Sequence, residues 1–222
     1  GGQQGPPVYR MVLENWWGIT YSWIYQNGGQ VFDENGRCAL NSDKAKEAVK
    51  FLKRMIDNNG LMYICDTQND FSHIMLFKQQ RAAMIQAGRW VLPDFKNSIH
   101  NFKWDIAPLP EGPGGLRASS ITTAFMCINA DAKYKDEAWK FVEFFCGPEG
   151  QRIRLLNSGN AIPSLKSLIP MVMEEDKDHH FEYYYEDLNV GRVIPKAQII
   201  HPGLGNSIHQ SLEQIWLGKD ID

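Results

Sequence analysis

The residues of this chain best suited to chemistry are aromatic rings delivered at turns. Phe77-Lys78-Gln79-Gln80-Arg81-Ala82-Ala83-Met84-Ile85-Gln86-Ala87-Gly88-Arg89-Trp90 reads as a helix end, a buried strand and a glycine turn that carries a tryptophan. Trp16, Trp17 and Trp23 fall inside eight residues. An indole held this way offers a flat face that packs against the apolar C–H face of a sugar ring, while its edge still donates a hydrogen bond. Seven Trp, eight Tyr and eleven Phe make 12% of the chain, so some rings must be core and a few can line a cleft.

Other chemistries find less support. No G-x-S-x-G elbow, H-E-x-x-H pair, P-loop or EF-hand loop occurs. Gly112, Gly114 and Gly115 lie among prolines rather than between a strand and a helix, which weakens a phosphate-cradling reading. In Asp178-His179-His180-Phe181-Glu182, His179 and Glu182 could share a helix face, but a third metal ligand at defined spacing is lacking. The segment reads as a solvated helix start, and Glu174-Glu175-Asp176 as surface. Glycoside hydrolysis needs two acids at a fixed separation across a sugar. Glu14, Asp33, Glu34 and Glu111 are candidates, and sequence does not pair them.

Composition bounds the partners. A net charge of −3 without a Lys/Arg run gives nucleic acid no electrostatic footprint. No apolar run approaches the ~20 residues of a membrane span. Gly1-Gly2-Gln3-Gln4-Gly5-Pro6-Pro7 lacks the basic and apolar regions of a signal peptide. Cys38, Cys65, Cys127 and Cys146 form no C-x-x-C and sit in apolar or strand-like surroundings, so structural buried thiols are expected.

The elements that must position the rings follow from local pattern. Residues 15–27 read as a helix stopped by Asn27-Gly28-Gly29. Val31-Phe32, the turn Asp33-Glu34-Asn35-Gly36 and Cys38-Ala39-Leu40 read as a hairpin. Ser42 can cap a helix whose apolar stripe is Ala45, Ala48, Val49, Leu52, Met55 and Ile56, ended by Asn59-Gly60. Lys46, Glu47, Lys50 and Lys53 form its solvated face. A short helix is expected over Asp70–Phe77, an extended run over Trp104–Pro110, and a mobile loop over Glu111–Gly115. A buried strand is expected over Ile121–Ile128, and a helix over Tyr134–Cys146 with an unusually wide apolar face. Pro148 opens a further helix to about Asn157, and helical segments are expected over 165–175, 179–187 and 206–217.

The opening segment resembles the F-x-x-G-(K/R)-A-A-M-x-x-x-G-x-W signature of bacterial extracellular solute-binding proteins that feed sugars to ABC importers, the maltose-binding-protein superfamily. Gln80 replaces the usual first glycine, while Arg81, Ala82, Ala83, Met84, Gly88 and Trp90 match. Three further stretches are similar to the same family in the same order: Asn27 to Leu52, Trp104-Asp105-Ile106-Ala107-Pro108-Leu109-Pro110-Glu111-Gly112-Pro113-Gly114-Gly115, and Glu137-Ala138-Trp139-Lys140-Phe141 with Gly147-Pro148-Glu149-Gly150-Gln151. Gly159-Asn160-Ala161-Ile162-Pro163 matches the family's G..P turn.

The resemblance implies an α/β fold of the periplasmic-binding-protein-like type II class, made mostly of the second, C-terminal lobe plus part of the first. It implies that most of the first lobe's N-terminal sheet and the final helix lie outside this chain. The lobes being discontinuous, residues 1–105 and 171–222 would belong to the second lobe, 106–115 to the crossover and 116–170 to the first. The implied site is an interlobe cleft that binds a sugar or oligosaccharide reversibly, without catalysis, metal or cofactor, and hands it to an ABC transporter permease. Trp90 is the implied platform, with Gly88 allowing a tight turn and Arg89 either donating to hydroxyls or simply exposed. Trp16 and Trp17 contribute further faces, and Trp23 is core. Ser119 and Ser120 bind ligand or begin a strand. Gly205 and Asn206 open a late helix, where Asn206 binds ligand or caps. Asn160 is a further candidate. The location implied is extracytoplasmic, at the periplasm or cell surface, as a monomer, with any membrane attachment through a lipid anchor outside the chain. A non-sugar solute such as a glycerophosphodiester or polyamine, a carbohydrate-active hydrolase, and a surface glycan-binding protein stand as alternatives.

Overall fold

The computed structural model describes residues 8–64, 72–156, 159, 161–175, 177 and 179–221. Cys65, Asp70, Phe71, Asn157 and Asn160, named above, lie outside them, as do Gly1–Pro7, Asp176 and Asp178. In chain order the elements are β1 (Met11–Glu14), α1 (Trp17–Gln26), α2 (Asp43–Asp57), β2 (Leu61–Ile64), α3 (His73–Lys78), α4 (Leu92–Ser98), β3 (Ser119–Ile121), α5 (Lys135–Cys146), α6 (Pro148–Leu155), α7 (Ile169–Glu175), α8 (Glu182–Glu186), β4 (Gly191–Val193), α9 (Lys196–Ile200) and α10 (Gly203–Trp216). Among the described residues no helix is long and apolar enough to cross a membrane.

The chain divides into two compact units: Gly1–Ala87 with Leu109–Thr122 and Asp187–Asp222, and Gly88–Pro108 with Thr123–Glu186. These units cut the chain at points different from the expected lobe segments, with residues 88–105 parting from 1–87.

The first unit is organised by β1. It pairs in parallel with β2, Met11 opposite Leu61 and Glu14 opposite Ile64. On its other edge, Tyr9 N–H donates to Arg81 O, Ala83 N–H to Tyr9 O and Val12 N–H to Met84 O, each at 2.9 Å. A central parallel strand is covered on both faces and reads as continuously apolar. Val12 accordingly packs with Leu76 and Ala82 on one side, and Leu13 with Ile19, Tyr21, Leu52 and Trp216 on the other. The strand expected after Arg81 is thus an edge run held by two isolated bridges, Tyr9 to Ala82 and Val12 to Ile85. Met84 is 54% exposed there rather than buried, as alternation at an edge allows.

Helices α1 and α2 form as read. Gly28 takes φ 77° where α1 stops, and α2 buries Ala45, Ala48, Val49 and Leu52. Ser42 occupies the N-cap of α2, but its side chain makes no capping bond. The expected hairpin reduces to one antiparallel bridge, Phe32 to Cys38. Its turn is organised by Asp33, whose Oδ1 accepts the N–H groups of Asn35 and Arg37 at 2.9 and 2.8 Å. Helix α3 is capped by Ser72, which accepts from Met75 N–H at 3.0 Å. The Gly112–Gly115 loop is closed by Gly115 N–H to Gly112 O and Gly112 N–H to Leu116 O, both 2.9 Å. β3 and β4 pair in parallel, Ser119 opposite Gly191. Helix α10 begins three residues earlier than expected and buries Ile208, Leu212 and Trp216 at i, i+4 and i+8.

In the second unit Leu92, Phe95, Leu155, Leu168, Val172 and Phe181 are buried. Gln151 is also buried, its amide donating to Cys146 O at 2.5 Å and accepting from Ser164 N–H at 3.0 Å. Two expectations give way here. The strand over Ile121–Ile128 is confined to its first residue, the end of β3, and Phe125 beyond it is 80% exposed. Helix α5 buries no residue, because its apolar side faces outward among the described residues. Cys127 and Cys146, like Cys38, are therefore exposed free thiols rather than buried ones.

Candidate functional site

In open parallel sheets the carboxyl ends of the strands are where ligands bind, since the loops there are free to carry function. At that end of β1 stand Glu14, Asn15 and Trp16. Asn15 is 1% exposed and ties the strand end to α10: its amide donates to His209 O at 3.4 Å and its Oδ1 accepts from Trp216 Nε1 at 3.3 Å. The rings that follow are thereby held on a fixed base. Trp16 and Trp17 have centroids 5.1 Å apart, and Trp17 continues to Tyr21 at 5.6 Å, forming a tilted aromatic run along α1. Trp16 lies over Gly18, where an added Cβ would come within 2.4 Å of the indole.

Beneath this run the polar groups are satisfied in pairs. Tyr21 O–H donates to Gln198 Oε1 at 3.0 Å. Burial, with smaller contributions from Tyr25 and Cys38, pushes the Tyr21 phenol well above its ordinary value, so it stays a neutral donor. Gly205 makes room for this partner: a Cβ there would stand 2.5 Å from Gln198 Nε2. Ser120 N–H donates to Ser22 Oγ at 3.0 Å, and the two hydroxyl oxygens are 3.2 Å apart, which fixes β3 against α1. Ser119 sits beside it on β3, half-buried. Asn206 does not cap: it lies one turn inside α10 and is exposed. Trp23, read as core, is partly buried and donates to Gln86 Oε1 at 2.8 Å.

In the second unit Gly88 has φ −90° and ψ 179°, an extended conformation open to any residue. Its role is spatial. A Cβ at Gly88 would meet Trp90 Cζ3 at 1.9 Å, so the indole folds back onto the glycine and remains 43% exposed. The two tryptophans read as platforms thus share one device, a ring seated on a glycine two residues away. Arg89 differs from its reading. It is 6% exposed and donates to Gly159 O at 2.5 Å and Ala161 O at 2.7 Å, which makes it a clasp on these two backbone carbonyls. Gln86, Gln198 and Ser22 were missed, because an amide or hydroxyl carries no signature of its partner in sequence.

Among the described residues no three His, Cys, Asp or Glu side chains converge to hold a metal. His179 is stacked on Trp104, and Asp33 is engaged by its own turn. What the candidate residues offer, within each unit, is aromatic surface, amides and hydroxyls.

The parallel α/β core places the chain in the class of type II periplasmic-binding-protein folds. Solved structures of that class are similar to it over nearly its full length. The chain belongs to the bacterial extracellular solute-binding protein family, whose model matches residues 1–152. It is similar to the Listeria monocytogenes ABC substrate-binding protein Lmo0181 in complex with cycloalternan, with TM-score 0.78 and 19% identity, covering 96% of this chain and 54% of that one. The Mycobacterium tuberculosis UgpB in complex with glycerophosphocholine gives TM-score 0.75 and 21% identity, over 96% and 53%. The maltose/maltodextrin-binding domain MalE of Bdellovibrio bacteriovorus bound to maltotriose gives 0.78 and 17%, over 98% and 57%. A binding protein of Brucella abortus strain 2308 is 26% identical over 211 residues, 89% of this chain and 47% of the relative. The chain spans about half the length of the curated relatives it matches.

Proposed function

We propose that this chain is part of an extracytoplasmic receptor that binds a neutral sugar or oligosaccharide reversibly and delivers it, as a monomer, to an ABC permease. The observation that carries this reading is the pair of tryptophans seated on glycines, Trp16 on Gly18 and Trp90 on Gly88. Such seating holds a broad apolar face in place at little conformational cost, which suits stacking on a sugar ring. Trp17, Ser119, Ser120 and Asn206 would supply neighbouring contacts, and Gly205 the room for Gln198. Binding by stacking and hydrogen bonds needs no nucleophile, in keeping with a receptor rather than an enzyme.

A phosphodiester solute, such as that held by the M. tuberculosis relative, would call for an arginine or a helix N-terminus. Arg89 is turned to backbone carbonyls, and Arg117 pairs with Asp187 at 3.0 Å. Both engagements turn these two guanidinium groups away from a phosphodiester. Isothermal titration with maltotriose, a cyclic tetrasaccharide and glycerophosphocholine tests this, using a chain of the relatives' full length. Saturable binding of an unaltered saccharide, weakened at least tenfold by Trp90→Ala, is expected. Preference for the phosphodiester, or hydrolysis of the saccharide, would refute it.

A further inference from the structure

Within the second unit, two residues of the extended run meet two residues of the turn before α8, in register. The Trp104 indole and His179 imidazole lie face to face, centroids 3.8 Å apart with 22° between planes. At the next position Asp105 Oδ1 accepts His180 N–H at 3.0 Å, and Oδ2 lies 2.6 Å from His180 Nδ1. Asp105 Oδ1 also accepts Ile106 N–H at 2.8 Å, so this carboxylate organises both strands of the contact.

The surroundings are aromatic. Phe95 meets Trp104 edge-on at 5.6 Å, buried Phe181 meets His179 edge-on at 5.7 Å, and His180 stacks on Tyr183 at 5.7 Å. The charged and titratable groups around the histidines are Asp105 in direct contact, the Tyr183 phenol, Lys96 with its ammonium 5.0 Å from the Phe181 ring, and Lys103 and Glu182 beside the paired residues in sequence.

Both pairs respond to a proton. An imidazolium over an indole adds a cation–π attraction, and an imidazolium against a carboxylate makes its hydrogen bond charge-assisted. Protonation of Asp105 would cancel the second. Desolvation pushes the Asp105 carboxyl upward, but hydrogen bonds from the His180 and Ile106 backbone and from the His180 ring, with that ring's charge, hold it below its ordinary value.

The chain passes between the two units at 87/88, 108/109, 122/123 and 186/187. The run from Trp104 leads into the second passage, and the turn at His179 leads through α8 into the fourth. We propose that Trp104-Asp105 and His179-His180 form a proton-operated latch that ties down two of these connections in mild acid and slackens them toward alkaline pH. The grip is strongest where Asp105 is ionised and the facing rings carry a proton; because hydrogen bonds hold Asp105 below its ordinary value, its own charge is lost only below the usual carboxylate range.

Site-resolved amide exchange on the 222-residue chain, corrected for intrinsic rates, tests the latch. Protection at Ile106 and His180 is expected to be roughly two- to fivefold greater at pH 5.5 than at pH 8. His180→Gln keeps a neutral side chain at both pH values and should abolish the difference, while Trp104→Leu should reduce it. Leu155, buried in the same unit away from these pairs, serves as control. Equal protection at the two pH values, the same difference in His180→Gln, or a matching change at Leu155 would overturn the proposal.

Discussion

Acid should weaken the first unit through one buried imidazole. His73 is 3% exposed at the start of α3, and neither ring nitrogen has a hydrogen-bond partner among the described residues. Glu14 Oε2 stands 3.4 Å from Nδ1, yet the Glu14 side chain is itself 45% exposed. Burial prevails, and the imidazole is pushed down from 6.5 to about 4. The unfolded chain therefore takes up a proton near pH 6.5 that the native state refuses until about pH 4. This contribution is fully present above the unfolded value and is lost as pH falls through the window between the two. The whole gap corresponds to about 3 kcal/mol, of which about 2 kcal/mol has gone by pH 5. Urea unfolding of the chain and of His73→Gln at pH 7.5 and pH 5 isolates this term, because other titrating groups are common to both. A cost of the glutamine itself shifts both pH values alike. The native chain should lose about 2 kcal/mol more than the variant between the two pH values at unchanged denaturant slope. An identical pH dependence in the two proteins would refute the reasoning, as would direct observation of His73 titrating at its ordinary value.

Three further substitutions follow from the geometry. Gln80 has φ 59°, in the left-handed region, so Gln80→Gly should raise stability by about 0.5 kcal/mol, the left-handed strain relieved less the added chain entropy, read by thermal melting. Gly88→Ala leaves a permitted backbone but drives the Trp90 ring from its seat, so a loss of roughly 1–3 kcal/mol with a red-shifted fluorescence spectrum is expected. Gln198→Leu strands the buried Tyr21 hydroxyl and should cost about 1–3 kcal/mol in chemical denaturation, with the helix content unchanged.

Periodicity made α2 and α5 legible, because each repeats apolar residues at helical spacing, whereas α1 was legible from its Asn27-Gly28-Gly29 stop. Strand pairing was harder to read, since a few residues at a sheet edge look like buried strand until their partner is known. Met84 and Phe125 show this: both lie in apolar runs, and both are exposed. Among the candidate site residues, Trp90 was read from its turn and Gly88 from its spacing, although Gly88 makes room for a ring rather than taking a special backbone angle. Arg89 was misread because charge alone suggested solvent or ligand, whereas two backbone carbonyls hold it inside. Gln198 went unseen because its partners, Tyr21 and Gly205, lie far away in the chain.

Helix α5 presents Trp139, Phe141 and Phe144, each more than half exposed, with Phe125 and Ile153 equally bare in the same unit. Water meets oily surface there without any rearrangement of the native backbone. Colloidal behaviour of the isolated chain would then be governed by this surface rather than by how firmly the fold holds. Its molecules would adhere to one another while still folded, at a rate set by concentration, and salts excluded from apolar surface would hasten that adhesion.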